Sequence, residues 1–477
     1  MANQLQKMIC GSTLEVREHV DPIDIEIPTL HTCTNELLAQ RDKQEPQILT
    51  PKGIEAFPSE ILGKIFIFSK TRKAVIVPPN LTSPPWTLGR VCSRWRQILW
   101  STPELWSYLE IRNDPPRREI LTIPAAIRGV VSHSRGLISL TAPVLTTASA
   151  LDTILSFPRR FTHLSLKIDH GAFCAILELP NNSFDHLESL DVLICQSHMK
   201  INFPAYTSTA LQAAPVLESF SIRGAEFSTC PPYLLLLPWV QMTRLQWSIK
   251  IPPSAVYCIL AQCASLLVCE IYIRSEIPQK SIGTGHILIP NLHSLSLNFG
   301  GAGVLDWNLF LQPLKLPSLK NLRVYTYSSY LPHQALVSLI GRSSCALTEL
   351  SLIDRSRRGY KFGHRDTCDL LQFIPSLEVL ETSFIIPDTT FNAISLGLLP
   401  QLHSLKCGIH PKGFHAFLDL MEHYMQMTPA TTYRGVFFAN IGCYDALGID
   451  EVYKRFRNVS PKFAKDGRDI AVNRTRL

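Results

Sequence analysis

The residues whose chemistry could define a reactive site are cysteine and histidine, and their spacing defines none. The 477-residue chain carries 13 Cys and 15 His. Cys258, Cys263 and Cys269 follow one another at intervals of five and six, and Cys407 stands three residues before His410. A structural zinc site is built from closely spaced pairs such as C-x-x-C, and no pair here has that spacing. The thiols are therefore expected to serve as small apolar side chains in a core. His163, His186, His293 and His403 are expected at polar positions within strands. No G-x-S-x-G elbow, H-E-x-x-H helix or G-x-x-x-x-G-K-[ST] loop occurs. The Gly300-Gly-Ala-Gly303 cluster lacks a phosphate-binding Lys and reads as a turn. The chain is accordingly expected to be no enzyme, with no catalytic residue, no metal site and no cofactor.

Binding chemistry is better represented, by apolar and aromatic side chains at helical spacing between residues 51 and 112. In Ala56-FPSEILGKIFIFSK, Pro58 suits a helix start and Glu60 the positive N-terminal end. Ile61, Leu62, Ile65 and Phe66 then make one apolar stripe. Four Pro within residues 71–85 predict a loop. Leu88, Val91, Cys92, Trp95 and Leu99 predict a second helix with a second stripe, and Ser101-Thr-Pro103-Glu-Leu105-Trp106 reads as a capped third turn. Three short helices have more apolar surface than they can bury among themselves, and the excess marks an interaction face.

The element that must position any further site is a repeat. An apolar-x-x-apolar-x-apolar template begins at Phe161, Leu187, Leu217, Met242, Leu266, Leu292, Leu319, Leu347, Leu377 and Leu402. Successive starts lie 24 to 30 residues apart. The alternating end of the template is a short strand with one buried face. Strands this short fold only when stacked, as a parallel ladder with a continuous Leu core. Ala210–Pro215, Ala255–Cys263, His333–Ile340 and Cys368–Ile374 are expected to return the chain between strands as helical turns.

These two patterns resemble known families. The repeat resembles a leucine-rich-repeat solenoid of the irregular, roughly 27-residue type, although the expected asparagine position holds no consistent residue. FP-x-E-I-L-x-x-I-F, then W-x-L-x-x-V-C-x-x-W-R-x-I and S-T-P-x-L-W, resemble an F-box of the kind abundant in mushroom-forming fungi (basidiomycetes), which precedes degenerate leucine-rich repeats. Phe57 stands where the usual first Leu would be, and Gly63 weakens the first helix by about 1 kcal/mol relative to Ala. The resemblance implies an α/β fold: an N-terminal three-helix F-box followed by a horseshoe with a parallel strand ladder. The organisation expected is an irregular segment with a short helix over 1–50, the F-box over 51–112, repeats over 113–450 and a basic tail over 451–477. The resemblance further implies docking of a Skp-type adaptor, and through it a cullin, with a protein substrate held on the repeats for ubiquitin transfer. Carried over by position, Pro58, Ile61, Leu62, Ile65, Phe66, Leu88, Val91, Cys92 and Trp95 form the adaptor-facing helices and their packing. Substrate contacts are expected from strand positions that point away from the core. Arg244, Trp247, Tyr272, Lys320, Arg323 and Tyr325 are the foremost, and Ser165, Lys167, Glu188, Ser294, Glu349 and Glu378 are further polar members. A repeat scaffold that works without a ligase is the alternative.

Charge narrows the partners. The chain has 46 Lys and Arg against 39 Asp and Glu, for a net +7. Residues 451–477 hold eight basic and three acidic residues, so +5 sits there and the remaining body is nearly neutral. A dedicated nucleic-acid binder is expected to be basic over a broad surface, so nucleic acid is not the expected partner. The tail is expected to be a terminal helix docked on the last repeat. With no apolar run of about 20 residues, no membrane span is expected, and residues 1–30 lack a secretory apolar segment. Unpaired thiols in the cytoplasm or nucleus are the corresponding expectation.

Overall fold

The alternation of Leu and polar residues in each template is realised as a strand, and the strands pair in the order in which the chain makes them. The computed structural model describes residues 53–69, 75–77, 79, 82–113, 116–134, 136–195, 210–224, 237–274, 286–300, 307–326, 333–355, 364–409, 413–427, 436–442 and 469–475, with 35, 36 and 39 of the N-terminal segment. Two compact units comprise residues 1–65 and 66–477. The first holds the 3₁₀ turn Ile54–Ala56 and the start of the helix Ser59–Ser69, which runs on into the second.

The second unit is an α/β structure built on one parallel sheet of fifteen strands. Its strands are β1 (Val75–Val77), β2 (Tyr108–Ile111), β3 (Ile138–Leu145), β4 (Phe161–Ile168), β5 (Ser189–Ile194), β6 (Ser219–Gly224), β7 (Arg244–Ile251) and β8 (Val268–Arg274). After a two-residue strand β9 (Ile287–Leu288) come β10 (Ser294–Gly300), a second short strand β11 (Leu314–Lys315) and β12 (Asn321–Thr326). The series ends with β13 (Glu349–Asp354), β14 (Val379–Ile386), β15 (Ser404–Ile409), β16 (Val436–Gly442) and β17 (Asp469–Thr475). β9 and β11 form their own parallel pair, and all other neighbours follow chain order.

The template explains the core. Its first apolar residue, from Leu187 through Leu402, is at most 1% exposed in every repeat. The two that follow, such as Leu190 with Val192 and Leu322 with Val324, are equally buried. Burial of each Leu is worth roughly 1.5–3 kcal/mol, and stacking places those rows in one continuous layer. Return segments include the helices Ala148–Leu155, His170–Leu177, Pro253–Leu260, His333–Ser343, His364–Leu371 and Asp388–Ser395. Neighbouring return helices pack on one another as a second layer. Tyr257 of the return helix between β7 and β8, for example, donates to the Phe310 carbonyl at 2.8 Å, and Phe299 of β10 meets Trp307 at 3.7 Å between ring centres.

Several local expectations change. The Pro-rich stretch 71–85 contains β1, so the ladder starts inside the segment read as helical. Residues 469–475 of the tail are a strand on β16, not a helix, and the sheet passes residue 450. Nearly all of the 1–50 segment and the tail positions Lys454, Arg455, Arg457, Lys462, Lys465 and Arg468 lie outside the described residues. Ala210–Pro215 forms a turn and no helix. His186, His293 and His403 precede their strands, as do Glu188, Lys320 and Glu378; of these residues and His163, only His163 is within a strand. Lys320 instead lends its backbone: its carbonyl accepts the amides of Thr348 and Glu349 at 2.8 and 3.0 Å. The same two-amide acceptor recurs at Glu218, Thr243, Leu267, His293, Thr348 and Glu378, and it carries each strand into register with the next.

Candidate partner-docking surfaces

The helix Ser59–Ser69 divides its apolar stripe. The carbonyl of Pro58 accepts both the Ile61 and Leu62 amides at 3.1 Å, which starts the helix at the predicted proline. Leu62 and Phe66, four residues apart, are buried. Ile61 and Ile65, also four apart, are 40% and 39% exposed, and Phe68 one turn on is 86% exposed. Pro58 is exposed as well. One side of this helix is therefore core and the other an apolar strip facing outward.

The second predicted helix is broken in two. Leu88–Arg90 is a 3₁₀ turn, and the α-helix begins at Ser93 with Cys92 as its cap. The Cys92 thiol accepts the Trp95 amide at 3.4 Å, in the place a Ser or Asp usually takes. Arg96 ties the two pieces by donating Nε–H to the Gly89 carbonyl at 2.9 Å. Val91 is 60% exposed and Cys92 exposed, while Leu88 and Trp95 are half-buried and Trp95 meets Phe66 at 4.9 Å. Ile98 and Leu99 supply the buried face. The third turn forms at Pro103–Trp106, but Thr102 does not cap it; its hydroxyl donates back to the Ile98 carbonyl at 2.7 Å.

Three tryptophans fasten this segment to the ladder. Trp100 and Trp106 stack at 4.3 Å with planes 7° apart, and Trp86 meets Trp106 edge-on at 5.3 Å. Trp106 donates Nε1–H to the Leu99 carbonyl at 2.9 Å, and Trp86 donates to that of Ile76 in β1 at 3.3 Å.

The second surface is the strand face away from the Leu layer. Registration sets its middle row as Glu110, Thr141, Ser165, Asp191, Ser221, Gln246, Glu270, Ser296, Arg323, Ser351, Glu381 and Lys406. Much of this row is bonded to itself. Ser165 donates to Asp191 at 2.9 Å, and Arg223 reaches the same carboxylate at 2.7 Å. Ser221 donates to Gln246, whose amide donates to Glu270 at 3.0 Å. Glu381 takes Ser351 at 3.0 Å on one oxygen and Lys406 at 2.6 Å on the other. Burial pushes the Glu381 carboxyl upward, but the bonds from Lys406 and Ser351, with the charges of Lys406 and Arg323, hold it below its ordinary value.

Among the six foremost substrate positions, Arg244 and Arg323 are exposed and Tyr272 and Tyr325 half-buried on this face. Lys320 is exposed ahead of β12. Trp247 is the exception. It is fully buried against Phe220 at 6.1 Å, so it belongs to the core and offers no contact. Sequence reasoning missed Asn298, which stands between Tyr272 and Tyr325 in register, and Lys250 and Arg355, whose cations lie over those rings at 5.6 and 4.4 Å. Strand register alone could have found Asn298; Arg355 follows its strand and carries no template signal.

Among the described cysteines the expectation of a core role holds for Cys174, Cys263, Cys269 and Cys407 and fails for Cys92 and Cys258, which are exposed; Cys195, Cys345 and Cys368 are half-buried. Cys263, Cys269 and Cys407 are buried, and burial pushes the Cys263 thiol up to about 12 and raises Cys269 and Cys407 further from reactivity. Among the described residues no cluster of His, Cys, Asp and Glu could hold a metal ion, and no helix is long and apolar enough to cross a membrane.

No protein-family model matches the chain, and no curated protein matches it. A crystal structure of a protein from Bacteroides fragilis aligns with 63% of this chain and 69% of that one at 12% identity, with a TM-score of 0.29. That likeness is too low to carry an argument.

Proposed function

We propose that the chain is a substrate-recognition adaptor of a Skp–cullin–F-box type ubiquitin ligase, its N-terminal helical segment an F-box and its strand ladder a degenerate leucine-rich-repeat solenoid. One observation carries the reading. The helix that bears the F-box-like FP-x-E-I-L motif keeps Leu62 and Phe66 inside and leaves Ile61 and Ile65 outside. An apolar strip of that kind on a short helix fits a helical partner surface of the Skp type. Val91 and Phe68 are further exposed apolar side chains of the segment. The solenoid then presents a protein substrate on the strand face opposite the Leu layer, where Arg244, Tyr272, Arg323 and Tyr325 lie.

The test is a pull-down of the full chain and of Ile61→Asp with Ile65→Asp, probed for the Skp-type adaptor and the cullin. Both positions are exposed, so the double change leaves the fold intact, whereas Leu62→Asp would put a charge in the core. Wild type should retain both partners and the variant neither. Capture of neither by a folded wild type leaves the helices as an end cap on a ligase-independent repeat scaffold.

A further inference from the structure

The residue after the first apolar position of each template forms a row along the rim where the chain enters the strands. Backbone bonds fix its order. The Glu188 carbonyl accepts the Glu218 amide, Glu218 accepts Thr243, Thr243 accepts Leu267, Leu267 accepts His293 and His293 accepts Lys320, all at 2.8–3.0 Å. These bonds step across β5, β6, β7, β8, β10 and β12, which are successive neighbours in the sheet, so the row is five strand spacings, roughly 24 Å, long. Glu188, Glu218, His293 and Lys320 are exposed, and Leu267 is 39% exposed. Val216, just ahead of β6, and Val240, just ahead of β7, are 40% and 70% exposed. Apolar side chains thus occupy the middle of the strip, with acid at one end and base at the other. Glu188 has His163 at 3.8 Å as its one ion-pair partner among the described residues, and Glu218 and Lys320 have none there.

We propose that this strip is the contact of a homodimer, with a second copy of the chain seated on it rim to rim. The charge pattern is self-complementary. Counted from the midpoint between Thr243 and Leu267, Glu218 and His293 lie one step out on opposite sides, and Glu188 and Lys320 lie two steps out. A two-fold axis through that midpoint, along the sheet normal, reverses both the row and the strand direction. It sets Glu188 of each copy against Lys320 of the other, Glu218 against His293, and Leu267 against Thr243, with Val240 beside them. An isologous contact requires this arrangement, since residue i of one copy meets j of the other and j meets i. Exposed ion pairs alone contribute little. The apolar centre supplies the attraction, and the charges fix the register. A partner of one charge sign, by contrast, would meet like charge at one end of the strip. Arg244 stands one residue further into its strand, on the open face. The axis leaves the open strand faces of both copies on one side, so the dimer doubles that face without covering it. The proposal does not depend on the ligase reading.

Sedimentation velocity of the full chain from about 1 to about 100 μM is the test, the range over which a contact at the small end of the usual sizes dissociates. The samples are wild type, Glu188→Lys, Lys320→Glu, an equimolar mixture of those two variants, and Val240→Asp. Wild type should pass from monomer to dimer. Each charge reversal alone sets like charges against each other at both symmetry-related contacts and should weaken dimerisation about tenfold or more. In the mixture, position 188 of each copy again faces the opposite charge at position 320, and dimers should return. Val240→Asp puts a charge at the apolar centre and should abolish the dimer. All three positions are exposed, and thermal melts check that each variant is folded; if a reversal is not, Val240→Asp decides. A wild type that stays monomeric overturns the proposal and leaves the strip to a partner of another kind. A dimer indifferent to the reversals or to Val240→Asp places the contact elsewhere and overturns it as well. Weakening by the reversals that the mixture does not recover overturns the two-fold register.

Discussion

Gly224 closes β6 at φ +137°, and a Cβ there would lie 2.1 Å from the Ile194 carbonyl oxygen of the neighbouring strand. Only glycine fits that backbone and that approach. Gly224→Ala should destabilise by about 1–3 kcal/mol, seen as a lower denaturant midpoint at unchanged slope; an unshifted midpoint would refute the strain. Burial makes a second distinction on one helix. Leu62→Ala should cost about 2–5 kcal/mol, while Ile61→Ala should stay within about 0.5 kcal/mol. The stripe showed in the sequence, but its division did not, because both pairs have the same spacing and only packing tells them apart. Trp247 teaches the converse. It occupies the third apolar position of its template, where Val192 and Leu297 are also buried, so the pattern pointed inward and the residue's size suggested a contact it does not make.

Elements, by contrast, are held by polar side chains that reach across a repeat, and these were not legible. Arg160 donates to the Ser134 carbonyl that ends the helix Ile123–His133 and to the Gly136 carbonyl at 2.8 Å. Gln241 serves the Ala214 and Leu217 carbonyls at 2.8 and 3.1 Å, Asn291 that of Ala264, Arg342 that of Leu311 and Ser376 that of Leu347. A regular repeat would give this work to one residue type at one position. Here four of the five donors, Arg160, Gln241, Asn291 and Ser376, do share a position directly before the first apolar residue of their templates, but each is a different residue type, which is why the position did not show as a polar column. Arg160→Ala leaves two of these acceptors without their donor and should cost about 1–3 kcal/mol. The strand row makes a pH-dependent contribution too. Glu381 is held below its unfolded value, so its stabilisation is complete above the unfolded carboxylate range and is lost as pH falls through the lower folded value. Lys406→Met removes the 2.6 Å partner and should raise the Glu381 pKa in an NMR titration and shrink the acid-side slope of stability. An unmoved titration would show that Ser351 and Arg323 suffice.

At the scale of the molecule, a ladder in chain order makes each strand depend on its two neighbours and on little else. The period, the parallel pairing and the Leu core were all readable, because one template repeated is one fact stated ten times. The ends were not, since terminal strands depart from the template: β1 lies in a proline-rich stretch and β17 in a basic one. The tail matters for this reason. Its strand Asp469–Thr475 pairs with β16 along seven registered positions and is the last strand of the sheet. Deletion of 451–477 therefore removes a structural neighbour and uncovers the ladder edge of β16, whose unpaired backbone groups are a template for another chain. The truncated chain should melt at lower temperature and sediment as larger species with rising concentration. Deletion of 476–477, which spares β17, should do neither. If the longer deletion instead leaves melting and sedimentation unchanged, the β17 pairing contributes no stability and the ladder ends in effect at β16; the basic charges of the tail would then be its only consequence, measurable as salt-sensitive binding to polyanions that the deletion abolishes.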